Sequence, residues 1–373
     1  MLKKIKKTQA LLILIFLLSS GLSSAVEDFE TQKEYNSARQ MSQGNTGVSY
    51  IKGADAVFYN PSGLARSKNN LASLQILSPQ ITMSAHILKA LRSYKNETEL
   101  INYLKDNKYK YQFASVENFS GIFFNLGGVG VLQRAQIGTH VANDPETGLP
   151  TLYTRSSLRY GGYITLAKSF LENSLLLGLN IKAVTKHESN FKLTVDDATN
   201  YLNEKKLKDL LKEYARIGTG IGGDFGATLS LGPQSRKFLH FGAMIRNIGS
   251  MVYSKHVRKK FPAPTSDPQM IDVGVSLTPM SRRSIIVLSA NLKDVTNASM
   301  DILKKTHFGA EFNYNDTFGA MLGLNQGYPS YGGFINFGVI KLEAGVYSEE
   351  MGKKPGDLIS TRAFARLSVG WLQ

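Results

Sequence analysis

No cysteine occurs among the 373 residues, so neither a disulfide framework nor a lipid-modified cysteine anchor is available. Only one tryptophan and six histidines are present. The histidines (His86, His140, His187, His240, His256 and His307) show no metal-ligand spacing. No metal and no cofactor are expected. No G-x-S-x-G elbow occurs, and nothing else presents a catalytic nucleophile; the chain reads as a non-enzyme. After residue 25 no apolar stretch is long enough for a membrane helix. A chain of this composition that crosses a bilayer must then close its backbone hydrogen bonds between strands.

What the sequence does contain is a rhythm. After residue 70 it reads as fourteen short alternating strands whose connections are alternately short and long. Short connections are placed at 126–128, 169–173, 232–236, 279–283, 315–316 and 339–341. Long ones are placed at 84–115, 138–151, 188–217, 249–270, 293–304, 326–330 and 349–359. Tight turns at one end and long loops at the other, with an even strand number, mark a transmembrane β-barrel of outer-membrane type. The 34 glycines, 17 tyrosines and 19 phenylalanines suit tilted strands with aromatic girdles.

The alternation holds strand by strand. In 307–314, Phe308, Ala310, Phe312 and Tyr314 share one face, and His307, Gly309, Glu311 and Asn313 the other. In 174–187, Leu175, Leu177, Leu179 and Ile181 oppose Gly178, Asn180, Lys182 and Lys186. Period-two patterning gives each strand one lipid face and one lumen face. Phe334, Phe364, Leu176 and Val184 fall with the lumen set, which predicts a partly filled barrel or a passage for an amphipathic ligand rather than an open aqueous pore.

The first residues read as a secretory signal peptide. Lys3, Lys4, Lys6 and Lys7 precede the apolar run Leu11 to Leu18, and Ser23-Ser24-Ala25 forms a small-residue cleavage site near Ala25. Net charge is +15, and removing residues 1–25 takes away four lysines and no acid, leaving +11. These charges are spread over many loops instead of along one helix, which argues for anionic lipid or an anionic hydrophobic ligand and against nucleic acid. The run Lys255-His256-Val257-Arg258-Lys259-Lys260 sits in a long connection. Lys255, Arg258, Lys259 and Lys260 are candidates for steering an anionic ligand or meeting lipopolysaccharide phosphates. Two further stretches, 85–105 and 196–216, carry apolar residues at helical spacing and read as amphipathic inserts at the mouth.

The segment ahead of the first strand has the sharpest motif. "SARQMSQGNTGVS" (37–49) and "GADAVFYNPSGLA" (53–65) resemble the N-terminal hatch of the FadL-like outer-membrane proteins. "LHFGAMIRNIG" (239–249), "ANLKDVTNAS" (290–299) and "HFGAEFNYNDTFGAMLGLNQG" (307–327) resemble the PorV/UPF0164 branch, and the TraF-type conjugal-transfer proteins are also similar. Ser62 stands where the family usually has Ala.

The resemblance implies an all-β fold, a fourteen-stranded antiparallel barrel over 69–373 whose lumen is plugged by an N-terminal hatch, 26–68. Phe58, Tyr59, Asn60, Pro61, Ser62, Gly63 and Leu64 are then the gate residues. Phe58, Tyr59 and Leu64 are bulky enough to fill a lumen, and Asn60-Pro61 fixes a turn and offers an amide to buried backbone. Strands crowded against such a plug account for Gly218-x-Gly220-x-Gly222-Gly223, which has no βαβ unit around it. The expected function is outer-membrane transport of a hydrophobic small molecule such as a long-chain fatty acid. The alternative is a PorV-like adaptor or structural component of a secretion or conjugation apparatus, with an envelope protein as partner.

Overall fold

Fourteen strand positions close into one antiparallel barrel. The computed structural model describes residues 34–67, 70–87, 106, 110–144, 146–194, 197, 214–233, 237–255, 262–279, 281 and 283–372. The strands are β1 (Leu71–Leu77), β2 (Pro79–Ser84), β3 (Gln112–Phe124), β4 (Gly127–Asn143), β5 (Pro150–Phe170), β6 (Leu175–Thr194), β7 (Arg216–Leu231), β8 (Leu239–Arg246), β9 (Ser254–Lys255), β10 (Met270–Leu277), β11 (Ser284–Leu292), β12 (Thr306–Tyr314), β13 (Phe318–Asn325), β14 (Tyr328–Asn336), β15 (Ile340–Glu350) and β16 (Ile359–Leu372). β1 and β2 share one position in the wall. Both lie between β16 and β3, with Leu74 opposite Trp371 and Ile122, and Met83 opposite Ala363 and Ala114. The position is interrupted at Ser78, before Pro79, whose nitrogen has no hydrogen to give a ladder. There the Ser78 N–H turns to Asn118 Oδ1 at 2.8 Å and its hydroxyl meets that of Ser368 at 2.9 Å. Among the described residues β9 pairs with β7 alone.

The alternating faces are as the sequence predicts. Phe308 and Phe312 are exposed while His307, Glu311 and Asn313 are buried, and Leu176, Val184, Phe334 and Phe364 are buried on the inner side. The outer wall is a belt of exposed leucine, isoleucine, valine and phenylalanine, as a lipid-facing surface requires. Strand height is uneven. β8 and β10 to β14 have 8 or 9 residues each, close to the length that spans a bilayer. β4 to β7 have 17, 21, 20 and 16. That quarter of the wall rises well above the rest on the long-connection side.

One expected long connection is short. β13 and β14 are joined by Gln326-Gly327 alone, with φ of 56° and 85°. Positive φ at both central residues is the two-residue hairpin turn that suits twisted strands, so 326–330 is mostly strand. The predicted insert at 196–216 falls almost wholly outside the described residues, and so does that at 85–105 apart from a short helical stretch at 85–87. Residues 1–25 lie outside them entirely.

Candidate functional site

Residues 34–66 run through the inside of the barrel. This inner segment contains α1 (Ala38–Ser42), α2 (Ala56–Tyr59) and a 3-10 helix (Pro61–Arg66). It adds no strand to the wall, so side chains and close backbone approach hold it in place. The approach depends on where glycines sit. At Gly178 and Gly226 a Cβ would overlap the backbone of Pro61-Ser62 and the Asn60 side chain. At Gly242 it would strike Val48-Ser49, and at Gly309 and Gly323 it would strike Gln43-Gly44. Gly44 itself has φ +66°, with the Phe308 carbonyl where its Cβ would be.

The predicted gate residues come together here. Phe58 packs on Tyr35 (ring centroids 4.7 Å apart) and edge-on against Phe119 (4.6 Å) and Tyr163 (5.2 Å), geometries that aromatic rings favour. Leu64 and Tyr59 join the same buried cluster. Asn60 is the principal staple. Its amide nitrogen donates to the carbonyl of Val48 at 2.6 Å, within the segment, and to the carbonyls of Ala227 on β7 at 3.2 Å and Ala243 on β8 at 3.4 Å. Its oxygen accepts from the Ser62 N–H and hydroxyl at 3.1 and 2.7 Å. Pro61 opens the 3-10 helix, and a Cβ on Gly63 would overlap Ile51. Ser62 is more than a small residue standing for Ala, because its hydroxyl also meets that of Thr228 at 2.8 Å.

A set of charged side chains that the sequence reading did not single out ties the segment to the wall. Arg366 bonds Asp55 and Glu343, and donates to the Tyr35 hydroxyl at 2.9 Å. Asp55 also accepts from the Ser37 hydroxyl. Arg39 and Gln43 both bond Glu311 on β12. Lys182 bridges Glu34 at 2.5 Å and Asp224 at 2.8 Å. Lys293, just past β11, donates to Asn45 Oδ1 at 2.9 Å and lies 4.7 Å from the Tyr59 ring centroid. Burial pushes its ammonium down to about 7; Asp272 opposes this in part and Arg246 adds to it. The sequence signal available for these residues was their place on the inward set of the alternation, which names the face and not the partner.

The connection between β8 and β10 also folds inward. Met251 and Tyr253 are buried, and they are what Gly220 and Gly222 crowd against. Gly218, Gly220 and Gly222 therefore accommodate this loop and not the N-terminal segment. Asp267 anchors the loop by accepting from both Arg159 nitrogens (2.6 and 3.1 Å), from Lys186 (3.2 Å) and from the Tyr253 hydroxyl (2.7 Å). Burial alone would raise the Asp267 carboxyl, but Arg159 and Lys186 win and hold it well below the usual carboxylate range. Of the basic run, Lys255 ends β9, paired with Gly218, and Arg258, Lys259 and Lys260 lie outside the described residues.

Between the inner segment, this loop and the wall, a cavity of about 30 Å³ remains, lined by Tyr35, Asn45, Tyr59, Arg246, Asn247 and Lys293 among others. That is space for one or two waters. The buried Asn45 Nδ2 and Asn247 Oδ1 in its wall have no hydrogen-bond partner among the described residues. A lumen packed in this way is closed.

No family model and no curated protein sequence matches the chain. Solved structures do match in fold. The CymD monoaromatic hydrocarbon channel is 12% identical over 90% of this chain and 97% of its own, with a TM-score of 0.51. The toluene transporter TodX of Pseudomonas putida is 11% identical over 93% and 99%, with a TM-score of 0.50. A deltaS2 mutant of the TodX monoaromatic hydrocarbon channel is 10% identical over 92% and 100%, with a TM-score of 0.53. At such identities the likeness shows the fold alone, a closed fourteen-stranded antiparallel barrel.

Proposed function

We propose that this chain is an outer-membrane channel for a hydrophobic small molecule, with residues 26–68 as a hatch and a signal peptide removed near Ala25. The observation that carries the reading is the way the lumen is filled. The inner segment is held by side-chain bonds and close packing and takes no part in the sheet, so it can shift without opening the barrel wall. Tyr35 and Phe58 of this segment pack on Phe119 and Tyr163 of the wall in one buried aromatic cluster, a lining that a shift of the segment would open to an apolar passenger. The channels of like fold are named for toluene and monoaromatic hydrocarbons. A long-chain fatty acid or a comparable amphipathic carboxylate fits the net charge of +11 left once residues 1–25 are removed, with Lys255, Arg258, Lys259 and Lys260 steering the anion at the mouth and lipopolysaccharide as their other contact.

Closure of the lumen favours a second reading, a PorV-like adaptor for a secretion or envelope protein. Native mass spectrometry of the detergent-purified protein separates the two. A co-purified apolar molecule, lost when Phe58 and Tyr59 are replaced by Asp, supports the channel. An empty barrel holding a stoichiometric protein partner supports the adaptor.

A further inference from the structure

Five inward-facing arginines of the wall are paired with acids. Arg134 meets Glu117, Arg159 meets Asp267, Arg246 meets Asp272, Arg362 meets Glu349 and Arg366 meets Glu343. Arg66, at the end of the inner segment, is different. Its Nη2 donates to the Ser49 carbonyl at 2.7 Å, its Nη1 lies 3.2 Å from His240 Nδ1, and its guanidinium stacks 4.8 Å from the Tyr50 ring centroid. Among the described residues no carboxylate pairs with it; its buried Nε–H has no partner either, a feature it shares with Arg246. Burial without an acid pushes the guanidinium down to about 10. A desolvated cation left uncompensated is costly, and an anion brought beside it recovers that cost.

The surroundings suit an anion with a directional oxygen pair. Ser230 and His240 flank the β7–β8 connection, one of the tight turns, so Arg66 sits at the short-turn end of the plug. Arg66 has only donors to offer, so His240 Nδ1 must accept, and Nε2–H then donates to the Thr278 hydroxyl, 2.9 Å away. His240 is thus held neutral and brings no competing charge. Nearby, Ser49, Ser276 and Ser289 form a buried hydroxyl chain with contacts of 2.5 and 2.7 Å. The result is one guanidinium among hydroxyls and a neutral imidazole, partly exposed at the short-turn end.

We propose that Arg66 binds the carboxylate of an amphipathic ligand at the short-turn end of the barrel. This rests on the channel reading and places the ligand's charged end where it leaves the hatch. The guanidinium fork matches a carboxylate, and hydrogen bonds of this charge-assisted kind are the strong ones.

The test uses the full chain in amphipol, with octanoate and octanol as probes, in wild type, Arg66→Gln and Arg66→Lys. The folded state of each is checked by its heat-dependent mobility on a denaturing gel. Octanoate affinity is expected to fall roughly tenfold or more in Arg66→Gln, with octanol unchanged, and to fall less in Arg66→Lys. Should Arg66→Gln not fold, Arg66→Lys carries the comparison alone, because it keeps the charge and loses the fork. Unchanged octanoate affinity, or equal loss of octanoate and octanol, overturns the Arg66 site and leaves the channel reading standing. Displacement of octanoate by inorganic phosphate as readily as by unlabelled octanoate overturns the carboxylate assignment. If neither probe binds the wild type, both the site and the channel reading fail.

Discussion

Arg366, midway along the last strand, grips Asp55 of the inner segment with both terminal nitrogens, Nη1 to Oδ1 at 3.0 Å and Nη2 to Oδ2 at 3.2 Å. The two residues are 311 positions apart. The same guanidinium also holds Glu343 on the adjacent strand, so one side chain closes the wall and fixes the plug at once. Replacing Arg366 with Met leaves the buried Asp55 carboxylate without its cation and Glu343 with Lys341 alone, and breaking a buried pair in this way typically costs about 3–5 kcal/mol. Arg366→Met should therefore lower the urea midpoint of the folded barrel markedly. The double variant Arg366→Met with Asp55→Leu should recover part of the loss, since it removes one orphaned charge. If the double variant is less stable by the full sum of the two single effects, the pair is not coupled.

Asn60 tests the staple. Three backbone carbonyls face its amide nitrogen and two donors of Ser62 face its oxygen. Asn60→Ala orphans these buried groups, at about 1–3 kcal/mol in total if they partly re-pair. Asn60→Asp should be worse than Ala, because it turns an acceptor toward the Val48, Ala227 and Ala243 carbonyls. A hydrogen-exchange comparison of residues 45–66 reads this directly. The order Ala worse than Asp would count against the assigned amide orientation.

How much of this was legible beforehand depends on the range of the interaction. The faces of β12 were readable because period two is local, with His307, Glu311 and Asn313 turned in and Phe308 and Phe312 turned out. The plug motif around Asn60 was readable because its turn chemistry lies within a few residues. The Arg366–Asp55 pair was not, since nothing in a sequence says which of several inward acids meets which cation across a closed barrel. Nor was the interruption at Ser78, where Leu77 and Pro79 continue the apolar pattern across the break. The inward placement of Met251, Tyr253 and Asp267 was hidden for a similar reason: the glycines at 218–222 announced crowding but not its source.

The lumen glycines make a controlled pair with the lipid face. A Cβ on Gly226 would overlap Asn60 Oδ1, whereas one on outward-facing Gly162 would meet nothing within 4 Å. Gly226→Ala should leave the barrel folded and displace the inner segment, seen as faster amide exchange in 56–66 and as higher ion conductance in planar bilayers. Gly162→Ala should change neither. Equal effects of the two substitutions would mean that close packing at Gly226 does not hold the plug.

Lys293 supplies a pH dependence whose sign is fixed by its burial. An unperturbed lysine keeps its proton up to about 10.5, while Lys293 in the folded protein releases it at about 7. Between those values the unfolded chain binds the extra proton, so stability rises with pH across that window. Below about 7 the residue is charged in both states, and the cost of burying it beside Arg246 is constant and complete. Lys293→Met removes this titration and also the bond to Asn45. Urea unfolding of wild type and Lys293→Met, followed from pH 6 to pH 10.5, should therefore show wild type gaining on the variant as pH rises above 7. A difference between the two that stays flat over that range would mean that Lys293 keeps an ordinary lysine's proton affinity, with Asp272 fully offsetting its burial.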